Sequence, residues 1–278
     1  MKAFFALCLV AALGCAYPAA AQPFRMPEEL DLPVELGLRL ALDQQIPDRD
    51  ALHYVLWAGY RGGPENRPVL RHIVEAYEQG RLEQGYARIA LSSLEFLGED
   101  ENYFLDLARR WNEGESAEER ERRKWIAYYA SLAIARRPTP EVLAALEEIN
   151  ARTSNGYLNG AFGMPGYIAV NVEKYEALPS VHEKIQMAVR WTRRGWSILG
   201  GLFDSSENLS PQAVVGQRWL AELSQQYPRQ VAQAIAAIEE PAEPEHPLAG
   251  HFDEIRAYVA SFTSVEVRAL LGDVLRNG

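Results

Sequence analysis

Residues 69–99 read VLRHIVEAYEQGRLEQGYARIALSSLEFLGE. Apolar side chains recur every three or four residues in both halves of this stretch, at Leu70, Ile73, Val74 and Tyr77 and then at Tyr86, Ile89, Ala90, Leu94 and Leu97. Such spacing places each set on one face of an α-helix. Gly80 and Gly98 follow the two runs, where glycine commonly ends a helix. The stretch therefore predicts two amphipathic helices joined by a short turn.

The same pattern continues through the first half of the chain. Ser116 followed by Glu119 forms a capping-box sequence, and Pro140 after Thr139 is typical of a first helical turn. We predict seven helices here, near residues 33–45, 49–60, 68–79, 83–97, 101–113, 117–136 and 140–152.

The predicted helices show a weak internal repeat. A second helix pair has Gly114 at the place of Gly80, 34 residues later, and Leu132 at the place of Leu94, 38 residues later. A period in the thirties built from two helices is typical of an α-solenoid. One pair cannot bury its own apolar stripes, so successive pairs must stack. We therefore predict an all-α fold of about five antiparallel helix pairs stacked in an α-solenoid.

Two stretches resemble HEAT repeats. They are the stretch quoted above, with Leu94 to Gly98 closing its second helix, and SVEVRALLGDVLR at 264–276, which contains the step Val267-Arg268. The resemblance implies a curved stack of helices that binds other macromolecules, and it implies no catalytic residue.

The pattern divides the chain into segments. We predict an N-terminal helical block at 26–153, an irregular connector at 154–178 and a C-terminal helical block at 179–278. A proline-rich linker at 240–249 interrupts the second block.

The first residues predict export. Lys2 precedes a short apolar run, and small residues end in an Ala-x-Ala site at Ala19–Ala21. These features indicate a secretory signal peptide at 1–21, cleaved after Ala21, and a periplasmic or secreted protein. The alternative is a lipid anchor at Cys15, which ends the apolar run. No stretch approaches the roughly 20 apolar residues of a transmembrane helix, so we predict no membrane span.

The positions of the cysteines and the net charge argue against several kinds of site and partner. Cys8 and Cys15 both lie in the predicted signal, so the mature chain is expected to form no disulfide and to hold no cysteine-bound metal. Loss of Lys2 with the signal changes the net charge from −10 to −11. A chain this acidic is a poor candidate for binding nucleic acid.

Motifs for catalysis or metal binding are not recognisable. The sequence has no Gly-x-Ser-x-Gly elbow and no phosphate-binding loop. His246 and His251 lie near several acids, but a linker separates them, so we interpret this region as a solvated acidic turn. We predict no catalytic residue, no metal site and no cofactor.

The stretch NGYLNGAFGMPGYIAV, residues 155–170, breaks the helical pattern with four glycines and a proline. We predict an irregular loop, and loops of this length are uncommon in compact folds unless they have a function. Its large side chains either fill a gap between the two blocks or form an adaptable binding surface. The candidate binding residues are Tyr157, Phe162, Met164 and Tyr167.

The stretch RWTRRGW at 190–196 offers a second candidate. Arginine stacked on tryptophan can bind anionic or planar ligands. Trp191, Arg194 and Trp196 could form such a site for a small molecule. The spacing of Thr192 and Trp196 instead favours a core helix face with solvated arginines.

These observations favour an exported, non-enzymatic helical-repeat protein that serves as a protein–protein interaction module or scaffold. Its partner is expected to be another protein or a peptide. The alternative is a helical envelope enzyme that acts on carbohydrate or peptide through carboxylates in a groove. That alternative predicts a deep pocket with two acids of perturbed pKa.

Overall fold

The computed structural model describes residues 31–195, 210–238 and 251–277, which contain thirteen α-helices and no β-strand. The all-α prediction is confirmed. The first eight helices are α1 Val34–Leu42, α2 Asp48–Arg61, α3 Arg67–Glu78, α4 Gln84–Phe96, α5 Glu101–Arg109, α6 Ala117–Ile134, α7 Pro140–Asn150 and α8 Gly156–Glu176. The others are α9 Val181–Arg193, α10 Pro211–Gln226, α11 Pro228–Ala236, α12 Phe252–Ser261 and α13 Val265–Asn277. A 3₁₀ turn at Pro64–Asn66 leads into α3.

Helices α1 to α7 are the seven predicted from the sequence, and their start and stop signals act as expected. The side chain of Ser116 accepts the N–H of Glu119, whose carboxylate accepts the Ser116 N–H in return. Thr139 caps α7, which begins at the following proline. Gly80 and Gly98 lie just beyond α3 and α4 with φ of 74° and 72°, a region that glycine enters without steric cost.

Helices α1 to α8 pack in sequence order. Contacts join α1 to α2, α3 to α4, α5 to α6 and α7 to α8. The second helix of each of these pairs also contacts the second helix of the next pair, in the order α2, α4, α6, α8. A continuous apolar core runs through these helices, from Leu38 of α1 to Phe162 of α8.

Helices α9 to α13 enclose a second core. Contacts join α9 to α10, α11 to α13 and α12 to each of its sequence neighbours among the described helices. The core extends from Ile185 of α9 to Leu271 of α13. A small third cluster, Ile168, Trp191 and Val215, connects α8 with α9 and α10.

The predicted irregular loop at 154–178 is wrong, because residues 156–176 form helix α8. The side chain of Asn155 accepts the N–H groups of Tyr157 and Leu158 and so starts the helix. An interior proline costs about 3 kcal/mol and each interior glycine about 1 kcal/mol relative to alanine. Burial of Leu158, Phe162 and Ile168 along one side offsets this cost. The helix also contributes to two clusters, so it connects the first core with the helices that follow.

Several predicted features lie outside the described residues. They are the signal peptide at 1–21 with Cys15, the linker at 240–249, and Trp196. Among the described residues, no helix combines the length and apolar character that crossing a membrane requires.

Candidate functional site

The predicted binding residues of α8 separate onto two sides of the helix. Tyr157 is 71% exposed and Tyr167 is 45% exposed. Phe162 is buried in the first core, and Met164 packs against the small third cluster. Helical geometry causes this division, since Phe162 lies five positions from each tyrosine and is therefore turned about 140° away from both. Tyr157 and Tyr167 therefore remain candidate binding residues, whereas Phe162 serves packing.

Glycines extend the exposed side of α8. Gly160, Gly163 and Gly166 are exposed, and a methyl group added at any of them would meet no atom within 4 Å. With the exposed Tyr167 and Val170 they form a surface that we call the α8 face. No charged residue occurs between positions 155 and 172. The α8 face is thus an uncharged surface in which helix backbone is directly accessible.

Aromatic side chains of α6 lie beside Tyr157. The ring of Trp125 lies 6.4 Å from that of Tyr157, 5.9 Å from Tyr129 and 5.5 Å from Tyr128. Tyr129 is buried, while Trp125 and Tyr128 are half-buried. We call these four residues the ring cluster. The W-x-x-Y-Y spacing of α6 brings part of the Trp125 and Tyr128 rings to the surface beside the buried Tyr129.

Cations flank the ring cluster. The ammonium of Lys124 lies 5.4 Å from the centre of the Trp125 ring, and the guanidinium of Arg88 lies 5.7 Å from that of Tyr129. Glu121 accepts hydrogen bonds from Lys124 and from the indole N–H of Trp125. These contacts hold the rings in a fixed arrangement beside Tyr157.

The predicted small-molecule site is not assembled as expected. Trp191 is buried and lies 5.0 Å, ring to ring, from Trp219. Trp219 in turn stacks on Tyr175 of α8 at 3.9 Å. Arg194 is exposed at the end of α9. Trp191 therefore packs between helices and does not share a surface with Arg194. Thr192, which the core interpretation placed on the core face, is buried.

A second polar centre, which the sequence analysis missed, lies where the two cores meet. The buried carboxylate of Glu95 receives hydrogen bonds from Arg136, Arg137 and Arg218. Arg136 is also buried and donates to the hydroxyl of Ser92 at 2.6 Å. We call Glu95 and the three arginines the Glu95 cluster. It connects the end of α4, the segment after α6, and α10.

Tyrosines extend the polar contacts of this junction. The hydroxyl of Tyr60 donates to Oε1 of Gln217 at 3.0 Å, and Nε2 of Gln217 donates to the hydroxyl of Tyr258 at 3.2 Å. Burial raises the pKa of Tyr60 and of Tyr258 well above the ordinary tyrosine value, against the opposing effect of Arg136 and Arg218 on Tyr60. Both hydroxyls therefore stay protonated at neutral pH and act as fixed dipoles.

Carboxyl groups with a resolved pKa shift are Glu99 and Glu119, and both are lowered. Burial opposes ionisation of Glu99, but hydrogen bonds from Arg71 and from the Asp100 N–H outweigh it and lower the pKa. The N–H groups of Glu115 and Ser116 lower the pKa of Glu119. These shifts favour the ionised form, whereas a general acid needs a raised pKa.

Within the described ranges, no group of three or more His, Cys, Asp or Glu side chains is arranged to hold a metal ion. Nδ1 of His251, the residue before α12, lies 3.2 Å from a carboxylate oxygen of Glu254 in the first turn of that helix. The predicted acidic turn that contains His246 lies outside these ranges.

Comparison with known proteins gives no relative: no family model matches the chain, and neither the curated proteins nor the solved structures contain a significant match. The resemblance to HEAT repeats therefore stays a prediction.

Proposed function

We propose that this chain is an exported, non-enzymatic helical-repeat protein that binds another protein through the α8 face. In this proposal α1 to α8 are four antiparallel helix pairs of an α-solenoid. The serial contacts of α2, α4, α6 and α8 support such a stack, because α4 and α6 each contact the second helix before and the second helix after them. The proposed site of action outside the cytoplasm depends on the signal-like residues 1–21.

The α8 face is the observation that carries the binding role. It exposes Tyr167, Val170 and three glycines on an otherwise acidic chain, and it bears no charge. Exposed surfaces of soluble proteins usually carry charged side chains, and depletion of charge with enrichment of tyrosine is typical of the centre of a protein interface. Contact of this uncharged face with a partner surface is therefore favoured over its exposure to water.

Glycine gives this surface a specific shape. Without Cβ atoms, Gly160, Gly163 and Gly166 let a second backbone approach the axis of α8 closely. Tyr167 lies beside them, and the ring cluster lies at the N-terminal end of the helix. A partner segment that lies along α8 would thus contact the helix backbone at the glycines and the aromatic rings of Tyr157 and Tyr167 on either side of them.

A site-specific cross-link tests the proposal in the cells that produce the chain. A photoreactive side chain at position 167 is expected to capture one defined partner protein, while the same group at Glu148, exposed on α7, captures none. Gly163→Arg should abolish the product, because the new side chain covers the face with a charge. Ala151→Arg, at an exposed position after α7, adds the same charge elsewhere and should leave the product intact.

The captured protein is then purified and titrated against the free chain. We expect Gly163→Arg to weaken its affinity at least tenfold and Ala151→Arg to leave it unchanged. Equal capture at positions 148 and 167, or equal affinity of both variants, would contradict a partner site on α8.

A further inference from the structure

The exposed side of α8 carries a regular spacing. Five exposed residues lie alternately four and three positions apart, and we call them the α8 seam: Gly156, Gly160, Gly163, Tyr167 and Val170. A repeat of about 3.5 residues is the spacing through which two helices pack side by side in a left-handed coiled coil. A methyl group added at any of the three glycines would meet no atom within 4 Å, so the seam is open on its outer side. The seam therefore has the spacing to accept a second helix along α8.

The two ends of the α8 seam differ in size. Gly156 and Gly160 form its N-terminal end, and the exposed large side chains of Tyr167 and Val170 form its C-terminal end. In a parallel pair of α8 helices glycine would lie opposite glycine and tyrosine opposite tyrosine, so the large side chains would hold the small positions apart. In an antiparallel pair Gly156 faces Val170 of the second copy, and Gly160 faces its Tyr167. The seam is thus complementary to itself in the reverse direction.

Gly163 lies at the centre of this antiparallel arrangement and faces its own counterpart. Helices packed through such a seam cross at about 20°, so their separation increases away from the crossing point. Glycine at the crossing lets the two backbones approach closely, and the side chains of Tyr167 and Val170 fill the wider spaces on either side. A two-fold dimer requires that residue i meets residue j and that j meets i, and the α8 seam satisfies this condition.

Charge also favours a second copy at this place. The chain carries a net charge of −10, so two copies repel one another at long range. Because no charged residue occurs between positions 155 and 172, two α8 faces meet without like charges opposite each other. An antiparallel pair also brings the positive end of each helix dipole to the negative end of the other.

We propose that two copies of this chain pair through their α8 seams in an antiparallel dimer whose two-fold axis passes beside Gly163. The paired stretch of 15 residues is about 22 Å long, which is short for a stable protein interface. We therefore expect a weak dimer, with a dissociation constant on the order of 10 µM. The dimer covers the face that the proposed protein partner needs, so self-association competes with that partner. This competition rests on the proposed function, whereas the dimer does not.

Sedimentation velocity of the purified chain measures the dimer. Between about 1 and 100 µM, a range around the expected dissociation constant, the natural chain should change from monomer to dimer. Gly163→Arg places two like charges at the two-fold axis and should raise the dissociation constant about tenfold or more. Ala269→Arg is the matched control, because this exposed position lies on α13, which packs on α11 and α12. It should dimerise like the natural chain.

Two outcomes of sedimentation would overturn the proposal. One is a natural chain that stays monomeric over the whole range. The other is a dimer that forms equally well in Gly163→Arg, which would place the contact on another surface.

Cysteine cross-linking tests the direction of the pair and applies even if Gly163→Arg does not fold. In a chain with Cys8→Ser and Cys15→Ser, Gly163→Cys should form a disulfide-linked dimer under mild oxidation, because position 163 faces itself. The two positions 160 of an antiparallel pair lie about 9 Å apart along the helix axes, whereas a disulfide needs Cα atoms within about 7 Å. Gly160→Cys should therefore stay unlinked alone and become linked when it is mixed with Tyr167→Cys.

The pattern of these links decides between the alternatives. Linking of Gly160→Cys to itself as readily as Gly163→Cys would indicate a parallel pair and would overturn the antiparallel dimer. No link in Gly163→Cys at concentrations where the natural chain is dimeric would equally overturn it.

The cellular cross-link at position 167 distinguishes the dimer from the proposed function. A second copy adds the mass of the chain itself to the product, and another protein adds a different mass. A chain that is monomeric in sedimentation but captures another protein would overturn the dimer alone. A chain that dimerises and captures only its own copy would support the dimer and contradict the proposed protein partner.

Discussion

Helices α4 and α8 occupy equivalent places in the packing of the first eight helices, yet their polar surfaces are opposite in kind. Helix α4 is buried on most sides, and its buried polar residues include Ser93 and Glu95. The hydroxyl of Ser93 donates to the carbonyl of Val55 at 2.7 Å. Between residues 156 and 172, helix α8 exposes a side that carries no charge and includes three glycines.

The difference shows that α4 contributes to internal packing, whereas α8 leaves one surface without internal contacts. Polar groups buried in α4 must find partners, because an unsatisfied buried group is costly, and they therefore fix how neighbouring elements pack. The glycines of α8 contribute no packing in the free chain and reduce its helix propensity. We infer that α4 is optimised for the fold and α8 for a contact outside it.

Glu95→Gln should produce the largest change in the free energy of unfolding, because it removes the buried carboxylate of α4. The neutral amide leaves three arginines without the carboxylate that they share, and breaking a buried ion pair costs about 3–5 kcal/mol. Urea unfolding should show this loss in the free energy of unfolding. Glu148→Gln removes an exposed carboxylate on α7 and should change the same quantity by less than about 0.5 kcal/mol. Similar losses in both variants would show that the Glu95 cluster does not hold the junction.

Gly59→Ala tests the packing of α2 on α4. A Cβ at this position would lie 2.6 Å from the Cα and 2.7 Å from the Cβ of Ser93, so the two helices must move apart. Overpacking of this kind costs about 1–3 kcal/mol, and the free energy of unfolding should fall by that amount. An unchanged free energy would mean that α2 and α4 separate without loss of packing.

Much of the fold could be predicted from the sequence, because local signals determine it. These signals are the glycines after α3 and α4, the capping box of α6 and the proline of α7. Each acts on residues close to it in the chain, so its effect can be predicted from the local sequence. Helix α8 was missed for the same reason. Its glycines and Pro165 are local signals against a helix, whereas the burial that outweighs them involves α6, α7, α9 and α10.

The candidate sites were less predictable. Tyr157 and Tyr167 were found because aromatic residues among glycines are conspicuous, but the exposure of each ring depends on the helical phase of α8. Glu95 was missed because its partners Arg136, Arg137 and Arg218 lie 41, 42 and 123 residues away in the chain. Within the sequence, Glu95 looks like any acid near the end of a helix.

Alkaline pH should lower the free energy of unfolding by a moderate amount through Tyr86 of α4. Burial, together with the hydrogen bond that its hydroxyl donates to Asp48, raises the pKa of Tyr86 on α4. A pKa raised in the folded state stabilises the fold below pH 10, the ordinary tyrosine value, and this contribution is lost as the pH rises above it. Tyr86→Phe should therefore reduce the alkaline decline in the free energy of unfolding, by up to about 1.4 kcal/mol per pH unit. An equally steep decline in the variant, measured by urea unfolding between pH 9 and 11, would exclude Tyr86 as a source.

Gly163→Ala should give the smallest change in the free energy of unfolding, and a change of opposite sign to that of Gly59→Ala. Because nothing lies within 4 Å of the added methyl group, the substitution raises helix propensity without a clash. The free energy of unfolding should rise by about 0.5–1 kcal/mol, whereas the same change at Gly59 lowers it. If the α8 face binds a partner backbone, the same methyl group weakens that binding while it stabilises the free chain. Loss of stability in Gly163→Ala would mean that the glycine serves the fold of α8 itself, and the contrast with α4 would then disappear.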